Sequence, residues 1–383
     1  MTRIQSLQIQ VFRQLKDMSF QDLRRINLLV GENSSGKTSV LEAIAIFCRP
    51  MDPLELLNVA RRREIKSSRE RMLDGVRWLF PLTAGAETDP YFRGSISVAG
   101  TGADHTEIKI LYQGLVGDIN KQPLLFSHED SESNDDETSA PFPNEGNETR
   151  RGAEIEMSST TKQLSLFDQV PEQRLMKFQL WEDERYISRG TGESYCIPVI
   201  TLSPVAHRVE LIQSRQLSEA TLSGDKFSVI EAMQMIDPHI DSLEVVSRSG
   251  MASSVWVHHS ETGFSPVSNL GDGTRRVLSI ALALQSVRGG VLLIDEVETA
   301  IHKDALGKFF DWLFDAAKHF NVQIFATTHS LEAIDAILSV NLKHPEDLVA
   351  FQLPDRDARY REVKRFSSEI LETLRFEQGL DVR

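Results

Sequence analysis

Cysteine and long apolar stretches are what this sequence has least of. Its 383 residues contain two cysteines, Cys48 and Cys196, whose separation fits no metal-binding motif. Two isolated thiols are typical of a protein in a reducing compartment. No apolar run reaches the length of a membrane span, and the N-terminus lacks a secretory h-region. We therefore expect a cytoplasmic protein that does not contact a membrane.

Positive charge is also scarce. The 42 basic residues are outnumbered by 56 acidic ones, which gives a formal net charge of −14. Much of this excess is local, because ten acidic residues and only two arginines lie between Glu129 and Glu156. The balance disfavours a protein that wraps broadly around nucleic acid, but it leaves room for one basic patch. Heptads long enough for a coiled coil and internal repeats are absent from the sequence as well.

The stretch Gly31–Ser39, GENSSGKTS, has the pattern of a phosphate-binding P-loop. It follows the apolar run Ile26–Val30 and precedes a helical apolar pattern, and this strand–loop–helix order is the context that a P-loop requires. Its two glycines let backbone N–H groups face a phosphate. Lys37 adds a positive charge near the β- and γ-phosphates, and Thr38 offers a hydroxyl to Mg²⁺. The sequence therefore predicts a nucleoside triphosphate site.

Two apolar strand patterns in the last third end on polar residues that suit phosphate chemistry. The first is followed by Asp295 and Glu296, and the second leads to His329. Because parallel strands present their carboxyl ends at one edge of a sheet, we expect these side chains beside the P-loop. Asp295 is then the partner of the Mg²⁺ bound at Thr38, Glu296 the candidate general base, and His329 a donor to the γ-phosphate.

A second glycine-rich turn, Leu270–Thr274, precedes a helical pattern. Gly271, Asp272 and Gly273 would form a second anion-binding nest at a helix start. Since the chain already has one phosphate loop, we expect this nest to serve the γ-phosphate of a partner protomer. The pattern predicts a head-to-tail dimer that sandwiches two nucleotides.

Composition and pattern divide the chain into five segments. The expected segments are an N-terminal part of an ATPase head at 1–50, a helical and strand insertion at 51–126, an acidic disordered loop at 127–163, a strand and helix part of the head at 164–267, and a C-terminal part at 268–383. The loop is rich in Ser, Asp, Glu and Asn, so its apolar surface cannot offset the entropy of ordering. The stretch 54–80 reads as one basic helix with a solvated face, and a DNA- or partner-binding patch is the alternative.

The motif order resembles a known group of ATPases. Phe12-Arg13, the P-loop, GDGTRR, IDEVE and TTHS follow one another as in ABC-type ATPases of the RecF/SMC/OLD branch, and they look most like the OLD-type bacterial ATPases, including those of the Gabija and PARIS antiphage systems. The resemblance covers the chain to about Phe47 and from Asn269 onward. It implies an α/β ABC-type P-loop ATPase head with N-terminal antiparallel strands and an inserted helical and disordered region. It also implies ATP, Mg²⁺ and a homodimer or higher homo-oligomer with ATP at its interfaces.

The resemblance assigns roles residue by residue. Nucleotide contacts are expected at Arg13, Asn33, Ser34, Ser35, Gly36, Lys37, Thr38, Ser39, Gly271, Asp272 and Gly273, catalytic roles at Lys37, Glu296 and His329, metal contacts at Thr38 and Asp295, and the interface-crossing D-loop at Glu298 and His302. Gln213 is the candidate for the glutamine loop. GDGTRR resembles the family's signature motif, whose strongest form has Ser at the position of Gly271. Slow ATP hydrolysis is therefore expected.

The C-terminal part departs from most OLD proteins, which carry a TOPRIM nuclease domain. We expect that domain to be missing, because too few residues follow His329 to form one. Asp355 and Asp357 imitate its DxD motif but read as turn residues of a hairpin.

Three functions remain open at this point. The first is a nucleotide-driven switch in bacterial defence that controls a separately encoded nuclease or toxin. The second is a RecF-like repair ATPase that binds DNA directly, and the third is a scaffold that binds ATP without useful turnover.

Overall fold

The computed structural model of the chain has ten described stretches. They are residues 3–62, 70–82, 89–118, 149–163, 170–182, 196–209, 214–247, 253–341, 345–355 and 362–382. Gln213, Asp357 and the part of the expected acidic loop at 127–148 lie outside them.

Runs of strands and runs of helices follow one another along the described residues. The strands are β1 (Ser6–Phe12), β2 (Leu15–Phe20), β3 (Ile26–Val30), β4 (Arg93–Thr101), β5 (Asp104–Asp118), β6 (Thr149–Gln163), β7 (Glu172–Trp181), β8 (Val199–Leu202), β9 (Ile240–Val246), β10 (Ser254–His259), β11 (Gly263–Pro266), β12 (Val291–Ile294), β13 (Gln323–Thr327), β14 (Leu348–Gln352) and β15 (Lys364–Ser367). The α-helices are α1 (Lys37–Cys48), α2 (Pro53–Arg61), α3 (Glu70–Arg77), α4 (Ala206–Val209), α5 (Ser214–Leu222), α6 (Lys226–Gln234), α7 (Asp272–Ser286), α8 (Lys303–His319), α9 (Leu331–Asn341) and α10 (Ser368–Glu372). A 3₁₀ turn at Val267–Asn269 precedes α7, and a π-helical turn at Thr373–Glu377 follows α10.

Two six-stranded sheets dominate the fold. One is antiparallel, in the order β2-β1-β4-β5-β6-β7, and the other has the order β15-β14-β3-β13-β12-β8 and is parallel except for β15. A third, small sheet has the order β11-β10-β9. This confirms the expected α/β ABC-type head with N-terminal antiparallel strands.

Helix α1 lies between the two large sheets. It contacts β1 and β4 on one side and β8, β12 and β13 on the other. All residues from Ser39 to Cys48 are buried, which accounts for the lack of a polar face in VLEAIAIFC. Strand β3 is buried at every position, as expected for a central parallel strand. The P-loop is therefore held between a fully buried strand and a helix that is buried from Ser39 onward.

The expectation of disorder across 127–163 is wrong for its last part, because 149–163 form β6. This 15-residue strand pairs with β5 and β7. Ala153, Ile155 and Met157 alternate toward the core, while Glu154 and Glu156 face outward. Composition alone misses this strand, because short Ser and Thr side chains fit the pleated surface while supplying little apolar area.

The basic stretch 54–80 is also not one continuous helix in the described residues, since α2 and α3 are separate elements. Arg62 donates to the buried Glu55 at 2.7 Å. Arg77 is buried, donates to the Asp89 carbonyl at 2.7 Å and stacks over the Phe92 ring. These two arginines therefore serve packing and do not form a basic patch.

The C-terminal hairpin is confirmed, since β14 and β15 pair in antiparallel register. Strand β11 and helix α9 were not predicted from the sequence. Among the described residues, no helix combines the length and apolar character needed to cross a bilayer.

Ile155→Ala tests whether β6 belongs to the folded sheet. Its side chain is 0% exposed, so we expect the free energy of unfolding to fall by about 2–5 kcal/mol, the usual range for such a truncation. Glu154→Ala, on the opposite face of the same strand, is the control and should change it by about 0.5 kcal/mol or less. Denaturant melts measure both. Equal small effects would mean that β6 contributes no core.

Candidate functional site

The P-loop owes its shape to three residues in the left-handed region. Gly31, Ser34 and Gly36 have φ angles of 150°, 69° and 98°. A Cβ at Gly31 would lie 2.7 Å from the Ser35 Oγ, and one at Gly36 would lie 2.6 Å from the Leu15 Cδ2. Both glycines are therefore favoured by their backbone conformation, and a larger residue would also have to displace a neighbouring side chain. The loop ends where α1 begins, so the helix N-terminus faces the same point.

Lys37 folds back over the loop that precedes it. Its Nζ donates to the carbonyls of Gly31 at 2.7 Å and Glu32 at 2.8 Å. Burial lowers the pKa of Lys37, and nearby carboxylates, Asp295 foremost, oppose that shift. The ammonium is thus placed at the mouth of the loop, where a phosphate would meet it.

Asp295 connects three neighbouring strands at their carboxyl ends. It follows β12, its Oδ2 accepts from the Thr38 Oγ1 at 3.0 Å, and its Oδ1 accepts from the Thr327 Oγ1 at 2.6 Å. Thr38 follows β3 and Thr327 ends β13, and β13 lies between β3 and β12. The structure therefore brings the P-loop and Asp295 together as the sequence predicts. The contribution of Thr327 was missed, because a threonine that ends a strand has no distinctive spacing.

The donor set fits a magnesium–nucleotide complex. A hydroxyl and a carboxylate are hard oxygen ligands of the kind Mg²⁺ uses together with substrate phosphates. The Ser35 Oγ, inside the loop, is buried and has no hydrogen-bond partner among the described residues. A phosphate oxygen would satisfy that hydroxyl. The residues present thus fit both Mg²⁺ and a triphosphate.

Glu296 is held in an uncommon backbone conformation. Its φ is 48°, its N–H donates to the Thr327 Oγ1 at 2.8 Å, and its Oε2 accepts from the Thr299 Oγ1 at 3.0 Å. Such a φ in a non-glycine residue costs energy and persists only where the surroundings impose it. The side chain is therefore aimed by the fold.

Arg276 is part of what imposes this conformation, and the sequence reading missed it. It lies in α7 and is 0% exposed. Its guanidinium donates to the carbonyls of Ser203 at 2.5 Å, Asp295 at 2.9 Å and Glu296 at 3.2 Å. The sequence does place this arginine close to the signature glycines, and from that position it could have been predicted to be buried and to bind backbone carbonyls. It fixes α7 to the turn that carries the two acidic residues.

His329 lies after β13, as predicted, and half of its side chain is exposed. Its N–H donates to the Glu298 Oε1 at 3.3 Å, and its Nδ1 lies 3.5 Å from the same oxygen. Glu298 thus links the predicted D-loop to His329. His302 is the N-cap of α8 and accepts from the Asp304 N–H at 3.4 Å.

The signature residues lie at the N-terminus of α7, as expected. Gly271 is exposed, and no atom lies within 4 Å of the position that a Cβ would take. Gly273 is different, because its Cβ would lie 2.8 Å from the Ala300 carbonyl oxygen of the same chain. Asp272 forms ion pairs with Arg208 and Arg275. Of these two glycines, Gly271 is the one with open space beside it that a partner could occupy. The anion-binding nest across an interface stays a prediction.

Arg13 donates to helix α1 and to the residue that follows α3. It has a φ of 53°, and its Nε donates at 2.8 Å to Glu42, a buried residue in the middle of α1. A second donor, Nη1, contacts the Trp78 carbonyl at 3.2 Å. Its expected approach to the nucleotide therefore stays a prediction, and its visible role is to anchor the β1–β2 turn.

Two further predicted nucleotide contacts lie in the P-loop and at the start of α1. Asn33 is exposed and Ser39 is buried at the start of α1. Asp355 is exposed after β14, as expected for a turn residue.

Arg276→Met, with Arg275→Met as control, tests the clamp. The first change removes the charged donor from three carbonyls, and hydrogen bonds to charged groups contribute about 1.5–3 kcal/mol each, so we expect a loss of at least about 3 kcal/mol in unfolding free energy. Arg275 forms a partly exposed ion pair with Asp272, worth about 1 kcal/mol or less. Denaturant melts compare the two. Similar losses of unfolding free energy would mean that the buried hydrogen bonds of Arg276 stabilise the protein no more than the partly exposed ion pair of Arg275.

The chain is similar in sequence to known proteins. Residues 26–335 match the family described as "AAA domain, putative AbiEii toxin, Type IV TA system". The protein MJECL11 of Methanocaldococcus jannaschii is 34% identical over 117 residues, which cover 30% of this chain and 99% of that protein. A Helicobacter pylori protein named ATP/GTP phosphatase is 21% identical over 348 residues, 87% of each chain.

A solved structure with a similar chain path is the SMC head bound to the C-terminal winged-helix domain of ScpA. It has 12% identity and a TM-score of 0.47, and the alignment covers 96% of this chain and 98% of that one. The family match includes the P-loop, the signature turn, Asp295, Glu296 and His329. This protein, a P-loop ATPase domain by its motifs, therefore belongs to the AAA-domain family of AbiEii-type proteins.

Proposed function

We propose that the chain is a Mg²⁺-dependent, ATP-hydrolysing ABC-type ATPase that works as a nucleotide-driven switch. The observation that carries this is the contact from Thr38 through Asp295 to Thr327, with Glu296 fixed beside it. This arrangement combines a phosphate cradle, a metal-binding pair and a carboxylate near the reacting phosphate. The ATP/GTP phosphatase of H. pylori supports hydrolysis as the reaction class.

The chain's own residues supply most of the chemistry. The loop N–H groups and Lys37 bind the β- and γ-phosphates, while Thr38 and Asp295 hold Mg²⁺, which neutralises phosphate charge when bound. The Glu296 Oε2 is engaged by Thr299, so Oε1 is the oxygen that orients the water and accepts its proton. The water oxygen attacks the γ-phosphorus, and the bond to the bridging oxygen breaks to leave ADP and phosphate.

A head-to-tail homodimer, or a higher oligomer, completes the site. The open space at Gly271 suits a partner's γ-phosphate, and the D-loop lies directly against Gly273. Signature turn and D-loop would therefore move together when two heads close. ATP and association are then thermodynamically linked.

The biological setting we propose is bacterial defence, with an OLD-like ATPase that controls a separately encoded nuclease or toxin in the cytoplasm. The family description, which names toxins of Type IV toxin–antitoxin systems, supports a setting of this kind. The RecF-like alternative has less support, because Arg62 and Arg77 of the basic stretch make contacts within the chain.

Lys37→Ala should weaken ATP binding at least about tenfold, because a charge-assisted contact contributes about 1.5–3 kcal/mol. Secondary structure should be unchanged, since the ammonium meets only loop carbonyls. Calorimetric titration with ATP measures the affinity, and Lys16→Ala, on the exposed face of β2, is the control. Unchanged affinity in a folded Lys37→Ala protein would overturn the P-loop assignment.

Glu296→Gln tests the ATP sandwich. The amide keeps the size of the side chain but cannot take a proton, so hydrolysis should stall with ATP bound. The variant should then form a larger or tighter assembly in ATP than in ADP. Light scattering measures size, and crosslinking through Lys303→Cys on a Cys196→Ser background measures closure. A cysteine at Thr299 is unsuitable, because that hydroxyl bonds to Glu296.

Gly271→Arg on the Glu296→Gln background is the matched control. Its side chain would enter the open space without a clash inside the chain, so the protein should fold and bind ATP but not assemble. Gly273→Arg is a poor choice, because any side chain there meets the Ala300 carbonyl. If Gly271→Arg assembles in ATP as well as its parent, the head-to-tail arrangement is wrong.

A further inference from the structure

The two cysteines of the chain, which the sequence presents as isolated thiols, are neighbours in the fold. Cys48 is the last residue of α1, and its carbonyl accepts a hydrogen bond at 2.9 Å from the N–H of Ile197, the residue after Cys196. Burial raises the pKa of the Cys48 thiol, and the charge of a Cys196 thiolate raises it further. The two sulfur atoms are therefore close enough to interact. Both cysteines are free thiols in this structure.

The local geometry suits a disulfide bond. A disulfide needs two Cα atoms within about 7 Å of each other and side chains that can turn together. The hydrogen bond from Ile197 to Cys48 holds the two Cα atoms close to that range. Cys48 and Ile197 also line a cavity of about 390 Å³, which gives a thiol room to rotate while the backbone stays in place.

The two thiols differ in their access to solvent and in their reactivity. Cys48 is 0% exposed, whereas Cys196 is exposed and is the thiol that a reagent would reach first. Desolvation raises the pKa of Cys196, and Arg49, which follows Cys48, opposes that shift. Little thiolate is therefore present at neutral pH, so oxidation is slow there. The reduced pair also gains no stabilisation from a thiolate, which favours the disulfide at equilibrium.

We propose that Cys48 and Cys196 are a redox modification site, whose reversible disulfide fastens the end of the P-loop helix to the segment that leads into β8. The oxidant is a low-molecular-weight disulfide such as oxidised glutathione. The Cys196 thiolate attacks one of its sulfur atoms, which releases one glutathione thiolate and leaves a mixed disulfide on Cys196. Cys48 then loses its proton, and its sulfur displaces the second glutathione. Two protein thiols are thus oxidised while one glutathione disulfide is reduced to two thiols.

The position of the pair gives the disulfide its consequence. Helix α1 begins at the P-loop and ends at Cys48, and it contacts β8. Strand β8 pairs with β12, and the carbonyl of Leu202 at its end accepts from the Asp295 N–H at 2.9 Å. The disulfide would join these two elements at the ends that lie away from the P-loop and Asp295. The loop that it closes contains β4 to β7, so the unfolded chain loses freedom and the oxidised protein gains stability.

Oxidised glutathione, added without denaturant to the reduced full chain at pH 8.5, tests whether the thiols meet. We expect both free thiols to disappear, the mass to fall by two hydrogen atoms, and peptide mapping to find Cys48 joined to Cys196. The same reaction should be slower at pH 7, where less thiolate is present. Cys196→Ser should not react, and Cys48→Ala should stop at the mixed disulfide on Cys196.

Thermal unfolding tests the effect on the fold. The melting temperature of the oxidised protein should exceed that of the reduced protein by about 3 °C or more, because the closed loop is long. Dithiothreitol should reverse the shift. Cys196→Ser, a change at an exposed position, should melt at one temperature with or without the glutathione treatment.

Three results would overturn the proposal. A parent protein that stops at the mixed disulfide would mean that the buried thiol of Cys48 does not reach Cys196. A covalent dimer through Cys196, seen on a non-reducing gel, would assign this thiol to a contact between copies of the chain. An oxidised protein that melts at or below the temperature of the reduced one would mean that the bond strains the fold. The parent and Cys196→Ser decide these outcomes even if Cys48→Ala does not fold.

Discussion

The hydrogen bond from Thr38 to Asp295 is the contact on which the site depends. It joins the first residues of α1 to the end of β12 across the intervening strand β13, which contributes Thr327 to the same carboxylate. Two hydroxyls on one aspartate fix its orientation, so the proposed binding of Mg²⁺ and phosphate would need little reorganisation. The rest of the fold can be understood as the means of holding these three strand ends in register.

Packing around α1 supplies that register. Because α1 is covered by a sheet on each side, its N-terminus cannot shift without disturbing the core between the two sheets. The buried pair of Arg13 and Glu42 ties the β1–β2 turn to the same helix. A buried charge pair is weak evidence for stability, but removing one partner leaves an unpaired charge in the core. This pair is therefore better understood as a positional constraint on α1 than as a source of stability.

The sequence was informative where chemistry needs fixed spacing and uninformative where geometry joins distant segments. The P-loop, Asp295 and Glu296 were predictable because strand, turn and residue type coincide. Thr327 and Arg276 were not, because their contacts depend on strand order and on the place of α7, which no local pattern encodes. Strand β6 was not predicted, because its polar composition was given more weight than the period-two alternation of its apolar and polar residues.

The contact between Gly273 and Ala300 suggests how the parts are coupled. A glycine in a signature turn is usually explained by the phosphate it approaches, yet here the absence of a side chain is already required by the chain's own D-loop. Arg276, one turn further along α7, holds the backbone of Glu296. A displacement of α7 would therefore be felt at both the D-loop and Glu296, the proposed general base, two elements that the proposed closure of a dimer would also engage. Small displacements are transmitted between these elements because closely packed protein interiors have low compressibility.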